Sequence, residues 1–242
     1  MLSIAEIEAR LLEMQAGVNP RIRWDEPCEG SARALVVFVG PSPGGVKAVG
    51  RRPMERSCFE ALWNESFNKP LSWSRGFKTS FKSLVESLSQ WPYETTGKLL
   101  GRANLDWLGN PESRDVRHEH MREGAPATLQ MIEDCSPELV LPMDKSTFDV
   151  LFDVLKNNGF EVTPCECKAF TVLISAAKRR FHRYLFACRV KAENGREFVM
   201  IKLPQHPARM FNADYGRRCG EAVREAALQI AIGQPVDVTN TK

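Results

Sequence analysis

Four short runs limit how this chain can fold. Residues 34–39 (ALVVFV), 138–142 (ELVLP) and 198–203 (FVMIKL) are apolar or largely so, 102–107 (RANLDW) alternates polar and apolar, and turn-forming or polar residues follow them. Each has the length of a strand, and most lack the apolar–polar alternation of a strand exposed on one face. Continuous apolar strands belong in a sheet that is covered on both sides. The segments between them have helical periodicity. Residues 77–88 set Phe77, Phe81, Leu84, Val85 and Leu88 along one face, and 128–134, 147–156 and 219–232 are patterned similarly. Parallel neighbours need long crossovers, usually helical. The pattern therefore predicts an α/β fold: three layers, α/β/α, around a central, mainly parallel sheet of four strands.

One stretch departs from this rhythm. RYLFACRVKAENGREFVMIKL, residues 183–203, reads as two strands around Asn194-Gly195, a strong hairpin signal. An antiparallel β-hairpin is thus expected to be added to the parallel sheet, with its second arm leading into PQHP.

The 242 residues fit a single domain, with a helical extension over 1–30 and a flexible tail over 235–242. The opening MLSIAEIEARLLEMQAG has Glu6, Glu8 and Glu13 where a signal peptide would be basic and then apolar. No run reaches the roughly 18 to 20 apolar residues of a membrane span. A cytoplasmic protein with no membrane partner is expected. The seven cysteines are odd in number and scattered, as reduced thiols are. Cys165 and Cys167 form a C-x-C pair, but no second pair has ligand spacing, so neither a metal nor a cofactor is expected.

Net charge is only +3, but its distribution is uneven. Arg51-Arg52, Lys178-Arg179-Arg180 with His182 and Arg183, and Arg217-Arg218 are local basic clusters. Each is either solvated surface or a contact for nucleic-acid phosphates.

In an open α/β sheet, ligands bind beyond the carboxyl ends of the strands. Three predicted strand ends hold unusual residues. The first is Gly40-Pro41-Ser42-Pro43-Gly44-Gly45, which has neither Walker nor Rossmann spacing. It is either a bare tight turn or a loop that lets backbone approach a ligand. The second is Asn104 and Asp106, which alternation points to one face of their strand. They are either loop caps or a recognition amide beside a carboxylate that handles water or charge. The third is His206, one of four histidines, held between Pro204 and Pro207.

These three ends, in this order, resemble the uracil-DNA glycosylase superfamily. That family has a Gly–Pro-rich loop after its first strand, an Asn closing the second and an H-P-[S/A] loop after the last; here these are residues 40–44, Asn104 and His206-Pro207-Ala208. MIEDCSPELVLPM, residues 131–143, is similar to the family's segment between the second and third motifs. The likeness extends over about residues 34 to 228.

The resemblance implies a monomeric, monofunctional enzyme that flips a nucleotide out of DNA and hydrolyses its N-glycosidic bond. It implies that His206 stabilises negative charge on the leaving pyrimidine and that Asn104 reads the base. Gly40 and Pro41 line the base site, and either Trp73 or Phe77 stacks on the base. Arg209 is expected to meet a phosphate and Met210 to wedge into the helix, with Lys178, Arg179 and Arg180 as further DNA contacts.

The first loop departs from the family in offering Ser42 where many members have a carboxylate or an amide. Asp106 is therefore the preferred catalytic carboxylate, and a modified base larger than uracil, as in phage DNA, becomes a candidate substrate. A glycosylase-like module that binds DNA without cutting it is the alternative.

Overall fold

The computed structural model describes residues 35–41, 75–90, 100–105, 117–167, 170–174, 179–210 and 212–238. Its order is β1 (Val36–Gly40), α1 (Arg75–Ser89), β2 (Leu100–Asn104), α2 (His118–Cys135), β3 (Leu139–Pro142) and α3 (Lys145–Asn157). Strands β4 (Glu161–Cys165), β5 (Phe170–Ile174), β6 (Arg179–Arg183), β7 (Ala187–Lys191) and β8 (Glu197–Ile201) follow, then a 3-10 turn, Pro207–Arg209, and α4 (Ala213–Ala231).

The fold is α/β, built on a six-stranded mixed sheet in the order β2-β1-β3-β8-β7-β4. Strands β2, β1, β3 and β8 are mutually parallel, whereas β7 and β4 add antiparallel pairs beyond β8. The sheet is thus larger than the four strands plus hairpin expected. The hairpin itself is present as β7–β8, and Gly195 takes the positive φ of 82° that its turn requires. What the pattern missed is β4, whose residues are exposed or half-buried at the sheet edge. A separate two-stranded ribbon, β5–β6, was also missed.

The apolar runs are buried as continuous runs should be. Val37, Phe38 and Val39 are all fully buried, and Phe38 meets Phe81 of α1 with ring centroids 4.8 Å apart. Successive strand residues point to opposite faces, so Val37 and Val39 are covered from the other side. Helix α1 packs along α4, and α2 packs on α3.

Helix α2 begins ten residues earlier than the periodicity from Thr128 suggests, at His118, and runs through Pro126. Proline removes one helical hydrogen bond and crowds the preceding turn. Burial overrides that cost, because Met121, Ala125, Leu129 and Ile132 form one apolar stripe against the core.

Residues 236–238 pack onto the body of the protein. Val236 and Val238 are buried, the Val236 N–H donates to the Glu166 carbonyl (3.1 Å), and Gln229 brackets Asp237 with two hydrogen bonds. The expected extension over 1–30 lies outside the described residues, as do 239–242. Among the described residues, no helix is long and apolar enough to cross a membrane.

Candidate functional site

All four parallel strands deliver their carboxyl ends to one edge of the sheet. Gly40 ends β1, Asn104 ends β2, Pro142 and Met143 follow β3, and the chain from Lys202 to His206 follows β8. Ladder-like bonds continue past the strands, tying these ends together. The Leu105 N–H donates to the Gly40 carbonyl (3.0 Å), Met143 to Val39 (2.8 Å) and Leu203 to Pro142 (2.8 Å).

Gly40 and Asn104 are direct partners in the parallel register, and the Asn104 side chain lies across the glycine. A Cβ on residue 40 would fall 2.3 Å from Asn104 Oδ1 and 3.7 Å from Met143 Sδ. The amide is buried at 3% exposure, and the Asn104 carbonyl accepts a 2.8 Å hydrogen bond from the Thr128 hydroxyl of α2. A buried amide held against backbone is a preorganised donor–acceptor pair.

His206 is half-buried in the turn after β8, between buried Pro204 and buried Pro207. Its carbonyl accepts from the Arg209 N–H (2.8 Å) and the Pro207 carbonyl from the Met210 N–H (3.1 Å), which closes the 3-10 turn. Pro207 suits the first position of such a turn because its φ is already near the helical value. From here the chain enters α4, capped by Asn212, whose side chain accepts from the Tyr215 N–H (2.9 Å).

Helix α1 is tied to the same turn. The Ser80 hydroxyl donates to the Met210 carbonyl (3.4 Å), and the Ser87 hydroxyl donates to the Arg217 carbonyl (2.7 Å). Gly216 and Gly220 let the two helices approach to backbone distance: a Cβ on Gly216 would lie 2.0 Å from the Ser80 carbonyl oxygen.

The expected site residues therefore fall into four groups. Gly40, Pro41, Asn104 and His206 lie at the shared strand edge, and Arg209 is exposed just beyond it. Met210 is a correction: at 4% exposure its side chain belongs to the core, so it is not presented as a wedge. Ser42, Trp73, Asp106 and Lys178 lie outside the described residues, while Phe77 lies on α1 and Arg179 and Arg180 on β6. Arg217 and Arg218, read as a basic cluster, are occupied within α4. Arg217 binds Asp214 (2.7 Å) and Glu221 (2.5 Å), and Arg218 lies 3.9 Å from Asp214.

Two features were not anticipated. Arg183 donates from Nε to the Tyr215 hydroxyl (2.6 Å), joining the β5–β6 ribbon to α4. Burial pushes the Tyr215 phenol up to about 12. The second is Lys202, a lysine only 8% exposed just past the end of β8. Its sequence signal was a charge inside the apolar run FVMIKLP.

Among the described residues, burial disfavours the thiolate form of three cysteines. Burial pushes Cys188 and Cys219 up to about 12 and Cys167 up to about 11. Among the described residues, no three His, Cys, Asp or Glu side chains are grouped as metal ligands.

No family model matches the chain, and no curated protein matches it.

Proposed function

We propose that this protein is a DNA glycosylase of the uracil-DNA glycosylase type. It would flip a uracil or modified pyrimidine out of DNA and hydrolyse its N-glycosidic bond to leave an abasic site. The observation that carries the reading is the arrangement of Gly40 and Asn104 at one end of the parallel strands, with His206 on the same edge. Strand spacing of about 4.8 Å puts the β2 and β8 ends about 14 Å apart across the sheet, enough for a base and its sugar between them. Parallel strands in the order β2-β1-β3-β8, read with right-handed crossovers, also suit the three-layer arrangement of that family.

Bond cleavage leaves positive charge on the sugar and negative charge on the base. A histidine fixed by two buried prolines needs little reorganisation to donate to that base, the condition under which electrostatic stabilisation is most effective. Asn104, with donor and acceptor on one amide, reads the base edge. Gly40 is required because any side chain there would occupy the space of that amide. Asp106 positions water or balances the sugar's charge, Ser42 assists in the first loop, and Trp73 or Phe77 stacks on the base. Arg209, Lys178, Arg179 and Arg180 contact phosphates.

The test is direct. Purified protein is incubated with DNA containing uracil, hydroxymethylcytosine or glucosylated cytosine, and abasic sites are counted after alkaline cleavage. Abasic sites from at least one substrate, lost in His206→Ala, are expected. Their absence from every substrate would overturn the reading.

A further inference from the structure

Among the described residues, Tyr184 and Phe186 are the large aromatic side chains left exposed, at 60% and 37%. They flank Leu185, which is buried. Out, in, out is the alternation of an extended segment, so both rings project to one side, about 6.6 Å apart along the chain. The segment is held at both ends. Arg183 donates from Nε to the Tyr215 hydroxyl of α4 (2.6 Å), and the Phe186 carbonyl accepts from the Lys202 N–H (2.8 Å). Phe186 directly precedes Ala187, the partner of Ile201 at the end of β8, so the two rings lie at the edge where the parallel strands end. The Phe186 ring packs on α3, 6.1 Å from that of Phe148. Gly40 and Asn104 share instead the face of Phe38, towards α1. The aromatic pair is therefore separate from the Asn104 amide.

Two ammonium groups lie over the Phe186 ring, Lys145 at 4.6 Å and Lys202 at 5.4 Å from its centroid. The carboxylates beside them are already engaged. Asp144 Oδ1 accepts from the N–H and the hydroxyl of Thr147, each at 2.8 Å, and Asp149 binds Lys145. Apolar area alone would suit another protein surface as well. Exposed rings set among cations suit a polyanion that carries flat rings of its own, because bases stack on the rings while the cations draw the phosphates.

We propose that Tyr184 and Phe186 form a stacking shelf for the unpaired bases of single-stranded DNA. Stacked bases follow one another at about 3.4 Å, so the two rings are about two base steps apart and both can engage one strand. A duplex keeps its bases stacked on each other and offers the rings no free face. The shelf therefore selects an unpaired strand. The choice of DNA rests on the glycosylase reading; the stacking does not.

The experiment measures binding and needs no excision. A labelled DNA strand of about 12 nucleotides, built from adenine and cytosine only, is titrated with the full chain and read by fluorescence anisotropy. Its duplex and the RNA strand of the same sequence are titrated alongside. Wild-type protein should bind the single DNA strand more tightly than the duplex. Tyr184→Ala should weaken single-strand binding by about 5- to 100-fold, the scale of losing one stacked base, and leave duplex binding unchanged. The loss should be equal at low and high salt, since stacking releases no counterions. Tyr184→Phe, which keeps the ring, should bind as the wild type does. Tyr184 is exposed, so neither variant disturbs the core. Unchanged single-strand binding in Tyr184→Ala, or a wild type that prefers duplex, overturns the proposal. Tighter binding of the RNA strand overturns the choice of DNA. A wild-type dimer in sedimentation that Tyr184→Ala abolishes would assign the shelf to a second copy of this chain and overturn it as well. Single-strand binding that depends on Tyr184, without excision of any base, supports the shelf and sinks only the glycosylase reading.

Discussion

Gly40 sits opposite Asn104 in the parallel register of β1 and β2, and its missing side chain is the space that the Asn104 amide fills. A methyl group at residue 40 would lie 2.3 Å from Asn104 Oδ1, closer than any real contact. Gly40→Ala should therefore expel the amide or strain the strand pair, costing about 1 to 3 kcal/mol. Asn104→Ala in the same molecule should restore stability but not base excision. Denaturant unfolding of the single and double variants checks the coupling. Additive losses would show that the two residues do not share this space.

His206 is predicted to matter for chemistry and not for folding. His206→Ala should unfold at nearly the wild-type temperature, since the side chain is only half-buried. Single-turnover excision should slow by about 10²-fold or more, the scale of losing one preorganised donor to a developing anion. An unchanged rate on a DNA that the wild type cuts would remove the role given to this residue.

Gly216 and Gly220 tie α1 to α4. In an exposed helix, glycine to alanine would stabilise by up to about 1 kcal/mol. Here the new methyl groups would lie 2.0 Å from the Ser80 carbonyl oxygen and 2.3 Å from that of Leu84, both backbone atoms. Either alanine variant should therefore lower the melting temperature. Because Ser80 also binds the Met210 carbonyl, Gly216→Ala should disturb the turn after His206 as well. A rise in melting temperature for both variants would mean that the helices separate without cost.

Lys202 should destabilise the protein at neutral pH. Its folded pKa of about 8 lies below the unfolded value of 10.5. Below pH 8 both states hold the proton, so the folded chain bears the full cost of a buried charge. Between about 8 and 10.5 the unfolded chain binds more protons, and stability from this group rises with pH. Lys202→Met should thus be more stable than the wild type at pH 7, by at most about 3 kcal/mol. That advantage should shrink as pH climbs from 8 towards 10.5. Paired urea titrations across this range measure the difference, and a gap independent of pH would show that the amine is not buried in its charged form.

The sequence by itself determined the α/β class, because continuous apolar strands and long 3.6-period segments can be buried together only in a sheet covered by helices. It also determined where the informative residues would gather. Gly40 and Asn104 each close a strand, His206 lies in the turn that follows another, and parallel strands must deliver their ends to one edge. The hairpin was legible for a local reason, since Asn194-Gly195 specifies its own turn.

The tertiary structure alone decided what depends on contacts between distant segments. Met210 and Arg209 look equally available in the sequence, yet one belongs to the core and the other to the surface. Arg217 and Arg218 read as a basic pair until the turn of α4 brings Asp214 and Glu221 against them. Strand β4 became visible only once β7 was there to pair with it, because an edge strand has no continuous apolar run. The burial of Lys202 was hidden for a similar reason: its surroundings come from β6, α3, α4 and the residue before β7, and no local pattern records their meeting.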